Sequence, residues 1–193
     1  MCGIKFRIQV SFKMLTDIII YKDRVTYEEK PVKPAIIKQI LFRGKQNISW
    51  DQVEKYLKKY VGESYIAKNY GDLINIAGDF PDEYTESDYT KLLRGANAKA
   101  KANAAQIIPE MIEIAENRRW IENKKEKHNH NASKGWYRYD TLFALPKEDS
   151  LSGSDTELRS IYRATLVVRI SEKGLFLYDV INIKKEASTP PGL

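Results

Sequence analysis

The sequence predicts an α+β fold in which helices come first along the chain and an antiparallel sheet follows. Residues 79–128 have high helix propensity, with an Ala-rich centre and apolar residues at helical spacing. Three later runs, "GWYRYDTLFALP", "RSIYRATLVVRIS" and "GLFLYDVINIKK", are rich in aromatic and β-branched residues and are separated by turn-forming segments. This separation of helices from strands is typical of the α+β class.

The first 45 residues have a different character from the rest of the chain. They contain two short β-favouring runs, "IKFRIQVSF" and "TDIIIYKDRVTY", and then Pro31 and Pro34, which interrupt any regular element. We expect residues 1–45 to form a small β-rich arm or attachment region, with the main domain at 46–193.

The main domain is predicted to begin with a helix and a hairpin. Ser49 is a candidate N-cap for "WDQVEKYLKKYVG", in which Val53, Tyr56, Leu57 and Tyr60 recur at helical spacing before Gly62 ends the helix. "SYIAKNYGDLINIAG" then predicts two short strands joined by a turn.

The long helical segment is predicted to consist of two or three helices. Gly95 and Pro109 are the expected points of division, and Pro109 suits the first turn of a new helix. The following residues form its apolar stripe: Ile107, Ile108, Met111, Ile112 and Ala115.

Composition and motifs exclude several classes of site. The 193 residues include 32 Lys and Arg against 26 Asp and Glu, giving a net charge of +6 and compatibility with phosphate-bearing partners. The single Cys2 cannot form an intrachain disulfide framework, and neither zinc-ligand spacing, a Gly-rich phosphate loop nor GxSxG is present. We therefore expect no metal or cofactor. Because no apolar run reaches the ~20 residues that cross a bilayer, we also expect a cytoplasmic protein without membrane contact.

The chain's two histidines, His128 and His130, lie two positions apart in a basic polar segment. A histidine can take a proton from a ribose 2′-hydroxyl and return one to the departing 5′-oxygen, which is metal-free RNA cleavage. The alternative for such a loop is a pair of solvated side chains.

Basic and aromatic residues alternate around these histidines. Between residues 118 and 138 there are seven Lys and Arg, interleaved with Trp120, Trp136 and Tyr137. Cations neutralise phosphates, and aromatic faces accept unstacked bases. The competing interpretation is a solvated helix face followed by a strand whose aromatic residues, including Trp136 and Phe143, belong to the core.

Arg138 and the end of the last run supply further candidate phosphate ligands. Arg138 lies between two tyrosines in a mostly apolar strand, so it either binds phosphate from a sheet surface or pairs with an acid such as Asp179. Lys184 and Lys185 are adjacent, so only one of them can face a site on the sheet. The alternative for these lysines is charged protection of a strand end.

Several blocks resemble one known family. "DFPDEYTESDYT", "GANAKAKANAAQIIPEMIEIAENRRWIENKKEKHN", "GWYRYDTLFALP" and "LYDVINIKKEASTP" are similar to the domain at the ends of phage MuF-type head-morphogenesis proteins and polyvalent mobile-element proteins, placed in the barnase/EndoU/colicin/RelE-like nuclease superfamily. The resemblance runs from about Phe42 to the C-terminus. The loop "KEDSLSGSDTELRSI" departs from the short turn usual in that family.

The resemblance implies helices packed on a roughly four-stranded antiparallel sheet, and RNA cleavage on the sheet face. His128 would be the general base or acid, Arg138 and Lys184 or Lys185 would bind the scissile phosphate, and Thr141 or Thr189 would orient it. The predicted nucleic-acid contacts are Lys124, Lys125, Lys127, His130, Lys134 and Arg163.

The function predicted in this way is a toxin-like, metal-independent endoribonuclease of a phage or mobile element. It would act in the cytoplasm of a bacterial host cell, with delivery in a phage particle as one route. Expected partners are RNA and a neutralising immunity or antitoxin protein, or a host defence protein. The rival function is a non-enzymatic module that grips nucleic acid or a host defence protein.

Overall fold

The structure, a computed structural model, describes residues 18–21, 24–27, 33–44, 48–124, 132–146 and 159–186. The chain divides into two compact units between Val32 and Lys33. In the first unit, β1 (Ile18–Tyr21) pairs with β2 (Arg24–Tyr27) as an antiparallel hairpin. This hairpin confirms the strands predicted in "TDIIIYKDRVTY"; the run "IKFRIQVSF" lies outside the described residues.

The second unit begins with β3 (Ala35–Ile36), α1 (Trp50–Leu57), β4 (Ser64–Ala67) and β5 (Asp72–Asn75). The helix and the hairpin occur where the sequence predicts them. A 3-10 turn, Lys58–Tyr60, extends α1; Val53, Leu57 and Tyr60 are buried, and Tyr56 is partly buried against the core. Ser49 occupies the N-cap position, but its side chain makes no capping hydrogen bond.

Four short helices follow: α2 (Phe80–Glu86), α3 (Asp88–Leu92), α4 (Gly95–Ala104) and α5 (Ile108–Glu113). Gly95 begins α4 with φ of +56°, and Pro109 lies in the first turn of α5, so both divisions are confirmed. All five residues of the predicted apolar stripe are buried.

The remaining strands are β6 (Glu116–Ile121), β7 (Trp136–Pro146), β8 (Arg159–Ser171) and β9 (Gly174–Lys185). β7, β8 and β9 form the predicted antiparallel meander. Segment 116–121, however, was expected to be helical and is a strand paired with β7.

The predicted fold, helices followed by a roughly four-stranded antiparallel sheet, is wrong: among the described residues strands outnumber helices, and three strands of the main sheet precede α2. The second unit contains a curled, seven-stranded mixed sheet in the order β3-β7-β8-β9-β5-β4, with β6 also paired to β7. β3 is parallel to β7, and β5 is parallel to β9. The difference arises because β3, the β4–β5 hairpin and β6 all join the meander through long-range pairing, which local propensity does not encode.

The core lies between this sheet and the helices. The last seven of the ten residues of α4, Ala98 to Ala104, are buried. Within it the buried Lys101 ammonium donates to Asp179 of β9 at 2.7 Å and to the Thr90 hydroxyl at 2.5 Å. Tyr84 and Tyr89 place their rings 4.5 and 5.1 Å from the same ammonium. The Lys101–Asp179 ion pair therefore connects α4 to β9 inside the core.

Residues 33–44 belong to the main unit, although the sequence suggested a boundary after residue 45. Asn103 of α4 is fully buried, and its side-chain oxygen accepts from the backbone N–H groups of Leu41 and Phe42 at 2.9 and 3.2 Å. Its amide nitrogen donates to the Phe42 carbonyl at 2.9 Å. Helix α4 thus holds the segment that follows β3.

Candidate nucleic-acid interface

The side chains of β7 alternate between two chemically different faces of the sheet. Tyr139, Thr141 and Phe143 are buried on the face that packs against the helices. Successive strand residues point to opposite sides, so Arg138 and Asp140 lie on the other face. Both are half-buried, and the residues opposite them on β8, Val167 and Thr165, are buried, so this side is only partly exposed. We call it the open face.

The register of four strands brings four cations to the open face. Arg119 of β6 is directly opposite Arg138 of β7. Arg163 of β8 is opposite Leu142 of β7 and, on its other side, Lys184 of β9. Directly opposed residues have Cβ atoms about 5 Å apart and share a face. We call Arg119, Arg138, Arg163 and Lys184 the open-face cations.

Two of these cations are paired with carboxylates. The Arg119 guanidinium donates to both oxygens of Asp140, at 2.8 and 2.6 Å. This hydrogen bonding lowers the pKa of Asp140, so the carboxylate stays ionised. Arg163 donates from Nε to Glu186 at 3.0 Å.

The other two open-face cations differ from these. Within the described part of the chain, no carboxylate pairs with Arg138 or Lys184, and Nε of Arg138 is buried without a hydrogen-bond partner. The acid proposed as an alternative partner of Arg138, Asp179, is bound to Lys101 instead. Asp179 is therefore not the partner of the Arg138 guanidinium.

The register also distinguishes the two adjacent lysines. Lys184 is opposite Arg163 and so lies on the open face. Lys185 is opposite Tyr162, whose ring stacks on buried Phe143 at 5.4 Å between centroids, so Lys185 lies on the other face. Both side chains are exposed, so they differ in direction rather than in accessibility.

Thr141 does not join the open-face cations. Its side chain is 1% exposed, and its hydroxyl donates to the carbonyl of Met111 in α5 at 3.1 Å. This hydroxyl therefore has a hydrogen-bond partner on the side of β7 that faces the helices.

The remaining predicted residues are placed as follows. Lys124 is exposed just after β6, and exposed Lys134 pairs with Glu172 at 3.0 Å. Of the predicted aromatic core residues, Phe143 is fully buried, whereas Trp136 is half-buried and packs edge-on against Tyr178 at 5.0 Å. Outside the described residues lie Lys125, Lys127, His128, His130 and Thr189.

Sequence reasoning missed a cluster beside β6. Arg118 donates to both oxygens of Asp72 at 2.8 and 2.7 Å, and its guanidinium lies 4.8 Å from the Tyr70 ring and 4.9 Å from the Tyr137 ring. The Tyr139 hydroxyl donates to the same carboxylate at 2.7 Å. Because the sequence predicts a helix at 116–121, and Arg118, Arg119 and Trp120 are all exposed, no periodic pattern in the sequence identifies this cluster.

The described residues contain neither a metal-binding cluster nor a membrane-spanning helix. No group of three or more His, Cys, Asp and Glu there is arranged to hold a metal ion. Nor does any described helix have the length and apolarity needed to span a bilayer.

Comparison of the chain with known protein families, curated proteins and solved structures finds no match.

Proposed function

We propose that the protein binds RNA through the open face, with phosphates held by the guanidinium of Arg138 and the ammonium of Lys184. The observation that carries the proposal is that these two cations share one face and have no carboxylate partner among the described residues, while their neighbours Arg119 and Arg163 are paired. RNA, rather than DNA, is the polymer that the sequence resemblance implies.

Arginine on a sheet surface is suited to this role. A guanidinium presents a planar fork that fits two phosphate oxygens, and contacts to ionised groups are the stronger hydrogen bonds. The buried Nε of Arg138 costs about 1–3 kcal/mol while it is unsatisfied. A phosphate that draws the guanidinium outward would relieve part of that cost.

The local charge excess is small, and this determines the kind of binding expected. Three carboxylates lie near the four open-face cations: Asp140 pairs with Arg119, Glu186 pairs with Arg163, and the charge of Glu116 also acts on Arg163. Four positive and three negative charges leave a net charge of +1. Because a phosphate must compete with these carboxylates, we expect weak binding that falls as salt is added.

The adjacent lysines provide the test. At about 0.1 M salt, losing one phosphate contact should lower log K by about 0.7, so Lys184→Gln should bind a single-stranded RNA roughly fivefold more weakly than the wild type. Lys185→Gln is the matched control and should bind like the wild type. Fluorescence anisotropy with a labelled oligonucleotide measures both affinities. The RNA affinity of Arg138→Gln should be reduced at least as much as that of Lys184→Gln. Equal affinities for all four proteins would overturn the proposal.

RNA cleavage is the second activity we propose, because His128 lies in the segment of the sequence that joins β6 to β7, the strands carrying Arg119 and Arg138. His128 would exchange the protons of 2′-hydroxyl attack. Thr141 is left out of this proposal because its hydroxyl is buried and bonded.

Incubating RNA with the wild type and with His128→Ala should give fragments for the wild type alone. Intact RNA in both samples, with binding retained, would support the non-enzymatic module instead. A neutralising protein partner would be expected only if the wild type cleaves.

A further inference from the structure

The structure holds one tryptophan largely outside the core. Trp120 is 59% exposed on β6, although tryptophan is normally well buried. Its indole N–H donates to the carbonyl of Lys134 at 3.0 Å, which fixes one edge of the ring.

A glycine keeps this ring in place. Gly135 has φ of +91°, and a Cβ built there would lie 2.9 Å from the indole nitrogen of Trp120 and 2.8 Å from the carbonyl oxygen of Ile121. Any larger residue would displace the indole or the strand. The exposed aromatic surface is therefore preorganised, which reduces the entropy lost when a ligand packs on it.

Its surroundings are aromatic and cationic. Trp120 is directly opposite Tyr137 in the β6–β7 ladder. The guanidinium of Arg118 lies 4.9 Å from the Tyr137 ring and 4.8 Å from the Tyr70 ring. We call Tyr70, Arg118, Trp120 and Tyr137 the aromatic edge.

β6 connects the aromatic edge with the open face. Within the described residues the only strand that pairs with β6 is β7, and the Arg118 N–H of β6 donates to the Tyr70 hydroxyl at 3.0 Å. Arg119 points to the open face beside Arg138, and Trp120, the next residue, points to the opposite face. A strand of nucleic acid passing over this edge would meet cations on one side and an indole on the other.

We propose that Trp120 is a stacking platform for an unpaired RNA base whose neighbouring phosphate is held on the open face. This inference rests on the proposed function and makes it more specific, because duplex RNA keeps its bases stacked and would not offer one to the indole. Arg138, which lies opposite Arg119 and has no carboxylate partner among the described residues, favours a polyanion with aromatic bases over an apolar protein partner.

The experiment compares two ligands of equal length and equal phosphate number: a single-stranded RNA and the same backbone with abasic positions. Trp120→Ala should weaken binding of the base-containing strand by about 5- to 140-fold. It should leave binding of the abasic strand unchanged. Trp120→Phe, which keeps an aromatic face, should retain most of the affinity. Intrinsic fluorescence of the wild type should be quenched by the base-containing strand, and less so in Trp120→Phe.

The failures are distinguishable. If Trp120→Ala binds the base-containing strand like the wild type while Lys184→Gln is weakened, the platform is wrong and phosphate binding at the open face stands. An equal loss on both ligands would assign Trp120 a structural role and would also overturn the platform. If the wild type binds neither ligand, both proposals fail.

Discussion

Replacing Asp179 by asparagine is expected to lower the free energy of unfolding by about 3–5 kcal/mol, because it leaves the Lys101 ammonium buried without its counter-charge. Lys101 is fully buried, and Asp179 is 3% exposed. Asparagine has nearly the same shape as aspartate, so loss of packing contributes little. Thermal or urea unfolding followed by circular dichroism measures the difference.

The double variant Lys101→Met/Asp179→Asn is the internal control. Removing both charges should recover much of the stability, since a buried pair often contributes little beyond what apolar groups of its size would. Equal stabilities of the single and double variants would contradict this account of the pair. The exposed pair of Lys68 with Glu113 gives the external control, and Glu113→Gln should change stability by no more than about 1 kcal/mol.

The pH dependence of the single variant follows from the same burial. Burial lowers the pKa of Lys101, whereas the attraction of Asp179 opposes that shift. Without Asp179 the lysine in the folded variant loses its proton at lower pH than in the unfolded chain, where its pKa is about 10.4. Between those two pKa values the unfolded state binds more protons, so the stability of Asp179→Asn should rise with pH and its deficit should shrink.

Replacing Asn103 by alanine is the second change expected to have a large effect. It removes the partner of the Leu41 and Phe42 N–H groups and of the Phe42 carbonyl, and the two Phe42 contacts are buried. Because each buried polar group left unsatisfied costs about 1–3 kcal/mol, the loss should be at least about 2 kcal/mol.

Chemical denaturation measures the effect of Asn103→Ala on the free energy of unfolding. Asn97→Ala, a half-buried position on the same helix, should change stability by about 0.5 kcal/mol or less. If both variants had the same stability, the buried side chain of Asn103 would not be holding segment 41–42 in place.

The sequence predicts those elements whose residue pattern repeats clearly. β7, β8 and β9 have long aromatic and β-branched runs, and α1 presents Val53 and Leu57 on one buried face. In each case local pattern and tertiary packing agree.

β6 could not be predicted from the same kind of pattern. Its middle four residues, Asn117 to Trp120, are all exposed, so neither a period of two nor one of 3.6 identifies a buried side. A bulge between Glu116 and Arg119 further disturbs the alternation. The strand is defined by its pairing with β7 rather than by its own composition.

Sheet membership depends on contacts distant in sequence. The β4–β5 hairpin was predicted, but its parallel attachment through Ile74 and Asn75 to β9 joins residues about 100 positions apart. Similarly, β3 enters the sheet through two residues, Ala35 and Ile36, opposite Phe143 and Ala144. Segments this short carry no independent strand signal.

The candidate site was predictable as a set of residue types but not as an arrangement. The sequence identifies Arg138, Arg163, Lys184 and Lys185 as cations within or at the ends of predicted strands. Only the register shows that Lys184 shares a face with Arg163 and that Lys185 does not. The contribution of Arg119 depends on β6 being a strand.

The salt dependence of RNA binding tests the central claim, phosphate binding at the open face, most directly. Affinities of the wild type, Lys184→Gln and Lys185→Gln would be measured between about 50 and 200 mM salt. If Lys184 binds a phosphate and Lys185 does not, log K should fall linearly with log salt, with a slope about 0.7 shallower for Lys184→Gln and unchanged for Lys185→Gln. Identical slopes for all three proteins, or a shallower slope for Lys185→Gln alone, would contradict it.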